Sequence, residues 1–172
     1  MASKKPVNGR RKGSAFELKM KHEFTQWTGV KWEKTILSGG GLFKGDIAVV
    51  DGASPWLVEL KNREEFTYHQ IFEYKDTAPL WKWWKKLRVE QVVMKGKPIM
   101  LIAKANRKPA IMIVDNEIGN SFLKTRGIKF HGSLILPDNT MVHYFMWDEV
   151  REKVKVEVTE SKPKKVTKRK KK

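Results

Sequence analysis

Apolar residues recur along the first third of the chain in two rhythms. Phe16, Met20, Phe24 and Trp27 stand three or four apart, which places them on one helical face. Ser14 and Glu17 have capping-box spacing and Gly29 follows, so the pattern predicts a helix over 14–27. From Trp32 the rhythm shortens to apolar runs broken by turn residues. Residues 32–37, 46–50 and 56–61 read as strands, parted by Ser-Gly-Gly-Gly and Asp-Gly-Ala-Ser-Pro. The last two form a predicted antiparallel hairpin. Residues 64–75 read as helical, and Pro79 suits the first turn of a helix to about residue 93. Strands 99–105 and 110–115 follow. Beyond 116 the pattern weakens, until 129–136 and 141–147 flank Pro137-Asp138-Asn139 as a further hairpin. This order predicts an α/β fold, a central mixed β-sheet flanked by helices.

Charge divides the chain more sharply than hydropathy does. The net charge is +17 over 172 residues. Five Lys/Arg fall within residues 1–12 and eight within 161–172, with no acid in either stretch, while the rest nearly balances. The expected organisation is a basic flexible arm over 1–12, one domain over 13–156 with a β-rich part over 116–156, and a basic disordered tail over 157–172. A balanced body with two basic arms is the footprint of a polyanion binder. A solvated tail or a localisation tag is the plainer reading. The arms lack the apolar half of an interfacial helix, so no membrane partner is expected. The absence of cysteine excludes a disulfide scaffold, Cys-ligated zinc and a thiol nucleophile, and fits a cytoplasmic setting, prokaryotic or viral.

The candidate chemistry lies on the predicted hairpin. Side chains alternate along a strand, so Glu59 and Lys61 share a face, and the turn folds Asp46 back towards them. Two carboxylates held together repel unless a cation lies between them. Mg²⁺ prefers hard oxygen ligands and phosphate, and a neighbouring lysine can stabilise transition-state charge. Glu-x-Lys alone says little in a chain with 32% charged residues, but Glu59 interrupts a strongly apolar run. A buried acid requires a partner or a metal.

Taken together, Arg11-Lys12-Gly13-Ser14-Ala15-Phe16-Glu17, Ser38-Gly39-Gly40, Gly45-Asp46 and Glu59-Leu60-Lys61 resemble the PD-(D/E)XK nuclease superfamily, and within it the archaeal-type Holliday junction resolvases. The resemblance covers residues 10–115. It implies a restriction-endonuclease-like core and a Mg²⁺-dependent, structure-selective endodeoxyribonuclease, with Mn²⁺ as a substitute, acting on four-way DNA junctions as a homodimer. It implies Asp46, Glu59, Glu17 and the Leu60 carbonyl as metal ligands, Lys61 acting on the attacking water or the phosphate, and Ser38 as a catalytic serine on a mobile loop. Arg10, Arg11 and Lys12 would grip DNA, with Lys44. Gly45 stands where many superfamily members have proline, the interval from Glu17 to Asp46 is long, and residues 116–172 have no counterpart in the resolvases.

Leu80-Trp81-Lys82-Trp83-Trp84-Lys85-Lys86 interleaves aromatics and bases. On a helix Leu80, Trp83, Trp84 and Leu87 form a core face, which leaves Trp81, Lys82 and Lys85 as candidate DNA contacts. The Gly-rich run at 38–45 is no nucleotide-binding loop, because Asp46 stands where lysine is required. The four histidines have no metal-ligand spacing, and Gln70 is a minor candidate on the helix after the hairpin. Two rival readings remain: a flap, nicking or end-degrading nuclease of the same superfamily, and a non-catalytic nucleic-acid-binding protein.

Overall fold

The computed structural model describes residues 9–35, 45–50 and 54–158, with side chains from residue 11 onward. The elements are α1 (Gly9–Thr28), β1 (Trp32–Lys34), β2 (Ile47–Val49), β3 (Leu57–Asn62), α2 (His69–Phe72), α3 (Pro79–Val93), β4 (Ile99–Lys104), β5 (Ala110–Asp115), α4 (Asn116–Leu123), β6 (His131–Ile135), β7 (Met141–Met146) and α5 (Trp147–Lys153). The described strands form one seven-stranded sheet in the order β1-β2-β3-β4-β5-β7-β6. Every neighbouring pair is antiparallel except β3 and β4, which run parallel because α2 and α3 carry the chain back between them. This is the expected α/β architecture, a mixed sheet of restriction-endonuclease-like form with helices on both faces.

Each sheet face has its own core. On one, Phe16, Met20 and Phe24 of α1, Ile118 and Phe122 of α4, and Trp147 and Val150 of α5 pack over Val58, Leu60, Met100 and Met112. On the other, Leu80, Trp81, Trp84 and Leu87 of α3 cover Leu57, Leu101, Ile111 and Ile113, with Phe66 and Ile71 filling in from the connection. β4 and β5 lie at the centre and are buried almost throughout, which is why both are near-continuous apolar runs.

Several boundaries depart from expectation. α1 begins at Gly9, not at residue 14. Residues 9–12, expected in an arm, form its first turn, and Ser14 is an interior residue whose hydroxyl takes a hydrogen bond from Lys34 rather than a cap. Of the helix expected over 64–75 only His69–Phe72 forms. Phe66 drops into the core, and Glu73 takes an extended conformation that ends the turn. α4 and α5 add to the expected elements. Asp115 caps α4, its carboxylate accepting from Ile118 N, and α5 opens on Asp148 and Glu149 and closes on Arg151 and Lys153, as the helix dipole favours. The tail expected from 157 still packs there, since Val156 and Val158 lie against the first core.

Candidate active site

Asp46 is fixed by the backbone on both sides. Its amide donates to the Val58 carbonyl at 2.8 Å, and its carbonyl accepts from Thr35 N at 3.0 Å. Here the β2–β3 ladder ends, and the Asp46 side chain takes over as acceptor, with Oδ2 2.7 Å from Leu60 N. The preceding residue makes this possible. Gly45 has φ 90°, and a Cβ there would lie 2.7 Å from the Val58 carbonyl oxygen. Proline, with φ locked near −65°, cannot adopt this turn, which accounts for glycine at that position.

Leu57 points into the α3-side core, so alternation carries Glu59 and Lys61 to the same side. Glu59 is 4% exposed. Lys61 Nζ donates to Glu59 Oε1 in a short contact and lies 3.8 Å from Asp46 Oδ2 and 3.4 Å from the Leu60 carbonyl oxygen. One ammonium group thus faces all three oxygen donors. Burial first, and the Glu59 charge second, push the Asp46 carboxyl up from its ordinary 3.8 to about 6, against the pull of Lys61 and the Leu60 amide. The site carries more negative charge than its lysine offsets. A set of two carboxylates and a carbonyl around a cation suits a hard divalent ion such as Mg²⁺.

Glu17 does not join that set. It pairs with Lys34 at 2.5 Å from the helix on the opposite face. Among the described residues no three acidic or histidine side chains gather to hold a metal. The Glu17 charge still reaches Asp46, as the weakest of the influences on it. Lys86, which the sequence did not single out, approaches Glu59 Oε1 to 3.9 Å from α3, and the Glu59 charge raises its pKa. Alternating tryptophans and lysines mark α3 as basic, but which lysine faces the site depends on how the helix rolls against the sheet.

That roll overturns one DNA contact. Trp81 is 1% exposed and its Nε1 donates to the Gln70 carbonyl at 2.7 Å, so it cannot stack on a base. The buried face is turned towards Trp81 because α2 and Tyr74 cover that flank, and Trp83 is left half-exposed instead. Gln70 is likewise structural: its side chain spans the Glu65 carbonyl and Leu80 N. Lys82 is exposed, and Lys85 is drawn to Asp76 at 2.6 Å. Arg11 is exposed, while Lys12 pairs with Glu64 at 2.5 Å. The Arg10 side chain, Ser38 and Lys44 lie outside the described residues. Among the described residues no helix is long and apolar enough to cross a membrane.

A family model described as "Phage putative PDDEXK endonuclease" matches residues 8–171. The match therefore includes the part beyond 115 that the resolvase resemblance left out. No curated protein and no solved structure matches the chain.

Proposed function

Since the chain belongs to the phage PDDEXK endonuclease family, we propose that it is a Mg²⁺-dependent DNA endonuclease cutting at Asp46, Glu59 and Lys61. The observation carrying this reading is the convergence of Asp46, Glu59 and the Leu60 carbonyl on a single cationic group, in a site where Asp46 is pushed towards protonation. These three oxygen donors would hold the divalent ion. When bound, such an ion polarises the phosphoryl oxygen and lowers the pKa of water.

The remaining roles belong to the chain. The Leu60 amide and the backbone at Thr35 and Val58 fix the Asp46 carboxylate, so it needs little reorganisation during the reaction. Lys61 stands beside both carboxylates, where a bound phosphate would come within its reach. Its ammonium group then donates to the scissile phosphate and offsets the charge that builds there. The low-dielectric wall provided by Leu57 strengthens that interaction. Lys86, 63% exposed on its side chain, supplies further positive charge from the α3 side. Glu17 acts through its field and not as a direct ligand.

As substrate we take the four-way junction, cut symmetrically by a homodimer. This choice rests on the resemblance of Arg11-Lys12-Gly13 and of the Asp46 to Glu59-x-Lys61 spacing to the archaeal-type resolvases. The test is cleavage of four-way, flap, linear duplex and single-stranded DNA with Mg²⁺, Mn²⁺ or EDTA. Metal-dependent cutting with the junction preferred is expected, as is a loss of about 100-fold or more in Asp46→Asn, Glu59→Gln and Lys61→Ala. Faster cutting of plain duplex would remove the junction from the proposal. Unchanged cutting by Asp46→Asn would remove the site. Absence of both cutting and calorimetric metal binding would favour a non-catalytic binder.

A further inference from the structure

The turn between β4 and β5 lies outside the carboxylate site and is strongly basic. It carries Asn106, Arg107 and Lys108, with Arg107 in the left-handed region at φ 57°. Arg63 N bonds the Lys104 carbonyl at 3.0 Å and ties the end of β3 to it. Lys61, Arg63, Lys104, Arg107 and Lys108 therefore gather at one end of the sheet. The acids there are Glu64 and Glu65, and Glu64 is already engaged by Lys12 and Asn106, each at 2.5 Å.

Beside this basic turn lies a half-open, mostly apolar cavity of about 180 Å³, lined by Phe66, Thr67, Tyr68, Ala105 and Lys108, the last its cation. Its floor is aromatic. The Phe66 and Tyr68 rings lie 5.6 Å apart at 59°, and the Tyr68 hydroxyl donates to the Pro109 carbonyl, which pins the ring across the turn. The cavity faces the same side of the sheet as the candidate active site. Ala103 is the register partner of Lys61, and Ala105 stands two residues further along the same face, about 7 Å on. That is about two base-pair rises along the axis of a duplex.

We infer that this cavity receives an unpaired nucleobase of the strand being cut, with its flanking phosphates on Arg107 and Lys108. The inference rests on the nuclease reading and deepens it. An apolar lining that includes the half-buried Tyr68 ring, with a cation at its edge, matches a ligand that is aromatic and anionic at once. A bare phosphate would make no use of the lining, and a neutral apolar molecule would make no use of the cation. A base inside a duplex has its faces covered by its neighbours, so the cavity selects a branch point or a frayed end. Stacking on aromatic side chains tolerates any base, so the selection is for pairing state and not for sequence.

The test is made in EDTA, where no cutting occurs, with a branched oligonucleotide carrying 2-aminopurine at an unpaired position beside the branch. Wild-type protein is expected to quench the probe by stacking. Ala105→Leu, which fills the cavity, and Tyr68→Ala, which removes its floor, should abolish the quench and weaken branched-DNA binding about tenfold, with paired-duplex binding within about twofold. Tyr68→Phe keeps the ring and should quench like wild type, and thermal melting verifies that each variant folds. No quench by wild type, quench persisting in Ala105→Leu, or equal loss on paired and unpaired DNA would overturn the inference. Quench without any cutting in Mg²⁺ would instead overturn the nuclease reading alone.

Discussion

Asp46 shows what the site costs the protein at rest. Its carboxyl holds a proton to about pH 6 in the folded chain, against an ordinary value of 3.8. Below 3.8 the acid is protonated in both folded and unfolded chains and favours neither. As pH rises through this window the unfolded chain ionises while the folded one keeps its proton, so stability falls, and above pH 6 the loss is complete. Asp46→Asn, which keeps an acceptor for Leu60 N, should therefore stabilise the metal-free protein by on the order of 1–3 kcal/mol at pH 7.5. The gain should vanish near pH 4, as read by urea denaturation. Mg²⁺ should raise the melting temperature of wild type and leave that of the variant unmoved. Glu17 gives the contrasting case. Because it pairs with Lys34, Glu17→Gln should slow cutting by about tenfold or less, well short of the loss in Asp46→Asn. Equal losses would mean that Glu17 swings into the site on substrate binding.

At the scale of elements, the tryptophans are structural glue. Phe24 of α1 stacks on Trp147 of α5 at 4.9 Å, and Trp147 Nε1 donates to the buried Glu23 carboxylate at 2.7 Å. Trp147→Phe should cost about 1–3 kcal/mol, because it leaves a buried acceptor short of a donor. Trp81→Ala should cost about 3–5 kcal/mol with no selective loss of DNA affinity, since Trp81 is core. The α3 pattern foretells the helix over Pro79–Val93 but not its rotation, because helical spacing puts Trp83 with Leu80, Trp84 and Leu87, whereas the packing of α2 turns Trp81 inward instead. The hairpin is legible because strand alternation is local: Asp46, Glu59 and Lys61 meet as expected. The position of Glu17 is not, because its partner Lys34 comes from another element, and sequence spacing carries no information on which of two nearby charges a carboxylate will face. α4 and α5 are legible in principle. Asp115 before Asn116-Glu117-Ile118, and acids followed by bases over 147–153, are end signals of short helices, too brief to establish a periodicity.

For the whole molecule, the +17 charge lies mainly at the ends, and residues 161–172 alone hold eight Lys/Arg. Deleting 161–172 should flatten the dependence of DNA affinity on salt by several units of log–log slope, at about 0.9 for each phosphate left unneutralised. Cutting should survive at low salt. An unchanged slope from binding titrations at several salt concentrations would show that this stretch does not track the backbone.

The parallel pairing of β3 with β4 also bears on when hydrolysis first becomes possible. Among the described residues β3 pairs with β2 at Ile47↔Val58, whereas it runs beside β4 from Leu57↔Ile99 to Asn62↔Lys104, across the crossover 63–98. Closing so wide a loop comes slowly compared with helix formation. The strand bearing Glu59 and Lys61 therefore locks in late. During refolding, helical circular dichroism should recover before cutting does, so a chain whose helices have formed stays inert until this strand docks.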